Sequence, residues 1–315
     1  MGKRSILGNI NMKIVYIGTR EMGYECLKFL LQAYAQQLVA VYTLDESLAP
    51  KTAGYKALDD LMGWKKIPFQ KVRDINAAEI TQQIRQYAPD VIVQVAWSQI
   101  IKDEILRIPR RGCVGFHSSL LPRYRGGSPV NWGLINGEKE WGITFFYLEP
   151  GVDHGDIIAQ KKFPIIEEDT CKTVYEKCTS AAVEILRECL PRIEQGTMPR
   201  KKQDDSKATV FKRRKPEDGV IDWDKTTLQL YNWVRALTHP YPGAFSFYKG
   251  KKIFIWKAKK AIWKGKEKPG TIVKVDKEVL VKTGDGALRL QSIQEEGRGE
   301  TAAISYEFGE TEKLS

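Results

Sequence analysis

GCVGFHSSLLPRYRGGSPVNWGLINGEKEWGITFFYLEPGVDHGDIIAQ, residues 112–160, is the stretch around which the rest of the chain is read. Its pattern predicts strand, loop, helix, strand, turn and strand in succession. The chain has three His (His117, His154 and His239), and His117 stands directly before a Ser-Ser-Leu-Leu-Pro run. An Arg/Gly/Pro loop follows over 123–129, and the block closes on Asp153 in a Gly-Val-Asp-His-Gly-Asp turn. The polar candidates fall in loops or at strand ends, where a rigid scaffold presents chemistry.

Upstream, 13–18 (KIVYIG) is an apolar run ended by Gly and predicts a buried first strand. After the turn 19–23 (TREMG), Tyr24, Leu27, Leu31 and Tyr34 recur at helical spacing and predict a helix over 22–37. Strand, Gly-containing loop and helix open a βαβ unit, whose helix offers free N–H groups to an anion. No G-x-G-x-x-G is present, so the dinucleotide fingerprint is missing. A second strand is expected over 38–43, a polar loop over 44–55, and helices over 56–62 and 77–87. The run 91–96 (VIVQVA) predicts a strong strand, with Trp97, Ser98 and Gln99 at its carboxyl end. Ligands of open α/β sheets sit outside such ends; Trp97 either lines a pocket there or belongs to the core.

Downstream, 170–193 predicts a long helix, with Val174, Cys178, Ala181, Ile185 and Leu186 at helical spacing. Residues 195–218 hold eight Lys/Arg, four acidic residues, Pro199 and Pro216, and read as a linker. An amphipathic helix is expected over 227–237. Five short strands separated by Gly turns (244–248, 253–257, 271–275, 279–282, 288–293) predict a small β-barrel.

Composition bounds the function. The chain has 315 residues and is 42% apolar, enough for a sizeable core, and no run approaches a membrane span. Five scattered Cys without a CxxC pair suggest neither a disulfide framework nor a zinc site. The first eleven residues lack the apolar core of a secretory signal. A cytoplasmic protein without metal is therefore expected. The net charge is +11, and 249–274 alone carries ten Lys against one Glu. Such a stretch is either a phosphate-binding patch or a Lys-edged, solvated β-surface.

His117 and Asp153, 36 residues apart, are placed at the ends of neighbouring strands. An Asp that orients a His makes a proton-handling pair; a hydrogen-bonded core His and a turn-forming Asp fit the same residues. No third ligand supports a metal at this pair, and Ser118 and Ser119 have no assigned base.

The runs HSSLLPRYRGGSPVNW and GITFFYLEPGVDHGDIIAQ, with DWDKTTLQLYNWVRALTHPYPGAFSFYKGKKIFIW over 222–256, resemble the folate-dependent formyltransferase family. The resemblance covers residues 12 to about 293. It implies an α/β fold: a Rossmann-like catalytic domain with a parallel-dominated sheet (12–195), a linker (196–218) and an OB-like β-barrel domain (219–315). It implies transfer of a formyl group from N10-formyltetrahydrofolate to an amine, with His117 and Asp153 catalytic. Trp97, Ser98, Gln99, Gly151 and Val152 would border the folate. Thr19, Arg20, Glu21, Met22, Gly23 and Arg125 would lie near the acceptor.

One departure stands out. The family's Asn, two residues before the His, is Gly115 here. Loss of a carboxamide that donates to the formyl oxygen costs about 10²–10³ in rate. A water, a backbone N–H or an acceptor group fills the space, or the chain is slow, altered in reaction or inactive; the sequence leaves these open. Members that act on tRNA carry a basic loop after the second strand. Here that place is LDESLAPKTAGY, with Asp45, Glu46 and one Lys, a poor partner for phosphate backbone. The TREMG loop and the WVRALTHPYPGAFSF run resemble the nucleotide-sugar members. The expected acceptor is therefore a nucleotide-linked amino sugar of the kind used for surface polysaccharides. A methionyl-tRNA formyltransferase, and a folate-binding or formylfolate-hydrolysing protein, are the alternatives. A homodimer stays open.

Overall fold

The computed structural model describes residues 12–63, 65–309 and 311–315; the expectation made for the first eleven residues lies outside them. The chain forms two compact units. One comprises residues up to Gly126, Gly142–Phe163 and Tyr175–Val210; the other comprises Gly127–Trp141, Pro164–Val174 and Phe211–Ser315.

In the first unit, β1 (Ile14–Gly18), β2 (Leu38–Leu44), β3 (Phe69–Val72), β4 (Val91–Val95), β5 (Cys113–His117), β6 (Glu140–Tyr147) and β7 (Ile157–Pro164) form one sheet. Its order is β3-β2-β1-β4-β5-β6-β7. The pairs from β3 through β5 are parallel and β5–β6 is antiparallel. This is the expected Rossmann-like, parallel-dominated sheet. Parallel strands are covered on both faces and so read as continuous apolar runs. All five residues of β1 are buried, and in β4 only Gln94 is not. One face of the sheet packs Val15, Ile17, Tyr42, Leu44, Ile92 and Cys113 against Ile80, Ile84, Ile101 and Ile105.

The strand order reverses direction of growth at β1 and β4, the crevice where ligands bind in such sheets. The end of β1 is shaped by Tyr16. Its buried hydroxyl donates to the Gly23 carbonyl at 2.6 Å. The ring reaches there by crossing the space over Gly18, where a Cβ would stand 2.6 Å from it. The helix α1 (Arg20–Ala33) therefore starts against the strand it leaves. Burial holds the Tyr16 phenol well above its ordinary pKa, so it stays a donor.

In the second unit, β8 (Ala244–Tyr248), β9 (Lys251–Ala261), β10 (Ile272–Val275), β11 (Glu278–Lys282) and β12 (Ala287–Glu295) pair antiparallel in the order β8-β9-β12-β11-β10. The last residues close this sheet. Thr311 and Glu312 bond to Ile272 beside β10, and Ser315 exchanges two bonds with Phe247 of β8. Both edge strands are thereby covered, which fits the expected small barrel domain. The helix Thr227–Leu237 begins in a capping box of Thr226 and Gln229.

Several differences have simple causes. β3 was not foreseen: FQKV is four residues long, sits at the sheet edge and has one buried side chain. The loop expected over 44–55 contains a 3₁₀ turn, Glu46–Lys51, started by Asp45 accepting from the Ser47 N–H. Segment 196–218, expected as a linker, holds the buried Gln203 and a bridge from Lys201 to Ile157. All five Cys are buried and free; burial pushes Cys171 and Cys178 up to about 12 and Cys189 to about 11. No helix among the described residues is long and apolar enough to cross a membrane.

Tyr16→Phe removes the buried bond from the phenol to the Gly23 carbonyl, which keeps its place in the ladder of α1. It is expected to cost about 0.5–1.5 kcal/mol, read as a lower urea midpoint at unchanged slope. An unchanged midpoint would show that the bond does not hold the β1–α1 turn.

Candidate active site

The carboxyl ends of β1, β4 and β5 carry Thr19, Trp97 and His117 in turn. The loops at this rim include four non-Gly residues at positive φ: Arg20 (63°), Ala96 (52°), Tyr124 (60°) and Asp153 (54°). Such conformations persist only where the surroundings over-determine them.

His117 is 7% exposed. Its Nε2 stands 2.6 Å from the Tyr124 carbonyl and its Nδ1 3.4 Å from Asp153 Oδ2. Both ring nitrogens thus face oxygen acceptors. A neutral imidazole has one N–H and satisfies one of them; the ring with a second proton donates to both. The two contacts fix the orientation of the ring. Asp153 Oδ2 also accepts the Gly126 N–H at 2.8 Å, which fixes the carboxylate.

The turn that presents Asp153 is built by its glycines and by Gln203. Gly151 has a φ of 116°, and a Cβ on it would run into the His154 ring. The Gln203 amide donates to the Asp153 carbonyl at 2.9 Å and to the Gly155 carbonyl at 2.8 Å. Its oxygen accepts from Arg125 Nε and Nη2 at 3.1 and 2.8 Å. Arg125 Nη2 also donates to Asp205 Oδ1 at 2.7 Å. Arg125, expected near the acceptor, has a buried guanidinium engaged in supporting the Asp153 turn.

The other expected residues fall into three groups. Gly151 and Val152 are exposed on the Asp153 turn. Trp97 is buried, and Gln99 is knitted to the segment beside it, accepting from Ile75 N and donating to the Arg73 carbonyl; Ser98 is exposed. Thr19 through Gly23 form the end of β1 and the start of α1. Thr19 N donates to the Val95 carbonyl, and Glu21 pairs with Lys56 at 2.9 Å. Met22 and Gly23 are buried. Among the described residues, the buried Thr19 Oγ1, Arg20 Nε and Trp97 Nε1 have no hydrogen-bond partner. Buried polar atoms are usually paired, so three orphans at one rim fit a site that receives polar groups of a ligand.

A cleft of about 260 Å³ lies by the start of β5, lined by Leu106, Gly112, Cys113, Tyr147, Leu148 and Arg200 among others; His117 and Asp153 are not part of its lining. Arg200 braces one wall, bonded to Glu149 and Asp156 and 3.9 Å from the Tyr147 ring. Sequence reasoning missed Gln203, Leu148, Arg200 and Gln94. For Gln94 a signal existed: it is the one polar residue inside VIVQV.

The site is a buried His beside a half-buried Asp at the carboxyl rim of a Rossmann-like sheet. The chain belongs to the formyl transferase family: residues 12–190 match Formyl transferase, and 213–306 match Formyl transferase, C-terminal domain. It is 36% identical over 302 residues to methionyl-tRNA formyltransferase of Caldanaerobacter subterraneus subsp. tengcongensis, covering 95% of this chain and 97% of that protein. It is 36% identical over 262 residues to the bifunctional polymyxin resistance protein ArnA of Wigglesworthia glossinidia brevipalpis, covering 83% of this chain and 40% of that protein. In fold it is similar to the N-formyltransferase from Helicobacter canadensis in complex with folinic acid and dTDP-3-aminofucose. That likeness has a TM-score of 0.66 at 19% identity and covers 90% of this chain and 99% of the other.

Asp153→Asn keeps an oxygen for the Gly126 N–H but removes the charge facing His117. Formyl transfer is expected to fall about 10²–10⁴-fold with little change in melting temperature. A rate within about threefold of the unaltered protein would take this pair out of the chemistry.

Proposed function

We propose that the chain transfers a formyl group from N10-formyltetrahydrofolate to the primary amine of a nucleotide-linked amino sugar. The observation that carries the transfer is the buried His117, held between the Asp153 carboxylate and the Tyr124 carbonyl at the end of β5. The orphaned polar atoms of Thr19, Arg20 and Trp97 at the rim fit a donor molecule rich in polar groups. Trp97 through Gln99 and the Asp153 turn would border it.

The reaction joins the amine nitrogen to the formyl carbon and breaks the bond from that carbon to N10. One proton leaves the amine and one arrives on N10. In this reading His117 carries that proton, and Asp153 offsets the charge of the doubly protonated ring. Burial strengthens both effects, because the pair is shielded from water.

The acceptor reading rests on charge. The acids of the loop after β2 are internally neutralised: Lys71 bonds to both Glu46 and Asp59, and Arg73 lies 3.6 Å from Asp45. The carboxylates hold the Lys71 ammonium above its ordinary pKa. This loop therefore offers little cationic surface to a phosphate backbone. Of the ten Lys over 249–274, Lys249, Lys251, Lys252 and Lys260 are paired with acids, which supports a solvated, Lys-edged surface. A second reading, transfer to methionyl-tRNA, is favoured by the 36% identity over nearly the whole chain to a methionyl-tRNA formyltransferase.

Purified protein supplied with N10-formyltetrahydrofolate, a panel of amino-sugar nucleotides and, in parallel, charged initiator tRNA separates the readings by mass spectrometry. A formyl gain on one sugar is expected. Gain on the tRNA alone overturns the sugar, and formylfolate consumption without any acceptor marks a hydrolase. Lys257→Glu with Lys259→Glu is expected to leave transfer to the sugar unchanged; a large loss would point to the Lys-rich strand as the acceptor surface.

A further inference from the structure

The departure at position 115 has a counterpart one strand away. Gly115 of β5 lies opposite Gln94 of β4 in the parallel register. Side chains at paired positions project from the same face, and so does that of His117, two residues further along β5. A Cβ built on Gly115 would stand 2.6 Å from Gln94 Oε1, 3.1 Å from the Gln94 carbonyl and 3.1 Å from Leu148 Cδ2. The Gln94 carboxamide therefore occupies the volume that a side chain at 115 needs. A side chain at 115 would have to push the Gln94 carboxamide out of this place.

Gln94 is also out of keeping with its strand. Val91, Ile92, Val93 and Val95 are buried, whereas Gln94 is half-buried. Among the described residues, no group hydrogen-bonds its amide. Ile17 flanks it on β1, fully buried, so the amide turns to the side left open by Gly115. Leu148 Cδ2 borders the same space over Gly115. A side chain with two N–H donors and no partner among the described residues, beside that space and on the face of His117, is placed to serve a ligand carbonyl. Gln is one methylene longer than Asn, which lets it reach across toward the neighbouring strand, about 4.8 Å away.

We propose that Gln94 donates a hydrogen bond to the formyl oxygen as negative charge builds there, and that Gly115 is the space which admits it. The inference rests on the formyl-transfer reading above. It takes the missing carboxamide to have moved from β5 to β4 rather than to have been lost. No new bond or proton transfer is added: the amide N–H stays on nitrogen and the oxygen accepts.

The test uses the full chain and four variants. Gln94→Leu, which suits an apolar strand, is expected to lower kcat by about 10²–10³ with the KM for folate little changed. Gln94→Glu, of the same shape without the donor, falls similarly. Gly115→Asn alone crowds Gln94 and gives no gain. Gln94→Leu with Gly115→Asn regains at least about tenfold over Gln94→Leu, returning part of the loss of one aimed donor. A readout without turnover accompanies these. The infrared stretch of a ¹³C-labelled formyl group on bound 10-formyl-5,8-dideazafolate is expected to move to lower frequency in the unaltered protein and back in Gln94→Leu. Unchanged kcat and an unchanged stretch in Gln94→Leu overturn the role of Gln94 and leave the transferase reading standing. If the unaltered protein transfers formyl to no amine, that reading falls, and the carbonyl stretch still decides Gln94. Failure to bind the folate analogue at all overturns both.

Discussion

The carboxyl rim depends on how the Asp153 turn is held. Asp153 sits at positive φ, a conformation that is unfavourable for a residue with a side chain. The turn keeps it through Gly151 and Gly155 and through the two bonds Gln203 makes to its carbonyls. Arg125 grips Gln203 from the other side. The carboxylate is then aimed by the Gly126 N–H and faces His117. A side chain far along the chain thus sets the orientation of a carboxylate that itself sets the ring. Gln203 acts through the turn and touches no reacting atom, yet the geometry of His117 rests on it.

Packing inside a sheet imposes the second constraint. Paired positions on adjacent parallel strands compete for one volume on each face. When β5 has Gly at such a position, β4 is free to fill it, and a polar side chain there avoids the cost of full burial only if it meets water or a ligand. Gln94 is only half-buried and borders the open space over Gly115. Position and chemistry can therefore be kept while the residue that supplies them changes strand.

The parts legible in the sequence were those with strong periodicity. The helix 227–237 and the strand 244–248 have the expected bounds. β1, β2 and β4 agree within a residue, because buried parallel strands are unbroken apolar runs. β3 was not legible, since four edge residues with mixed exposure carry no period. At the site, His117 and Asp153 were readable from their motif, and the structure brings them together. Gln203 was not, because it lies in a polar, charged segment where one buried Gln looks like its solvated neighbours. Gln94 was visible as an anomaly, but its meaning required the register that sets it opposite Gly115.

Net charge is a weak guide to the acceptor for a physical reason. Affinity for a phosphate backbone follows the cations free to replace its counterions, and a Lys already paired with a carboxylate is a poor one. Lys71 spends its charge on Glu46 and Asp59 beside β2, and Lys249, Lys251, Lys252 and Lys260 spend theirs on neighbouring acids. The +11 total is thus partly consumed within the fold. What bears on a polyanion is therefore the number of cations left unpaired at one surface, and the formal net charge of the chain does not give that number.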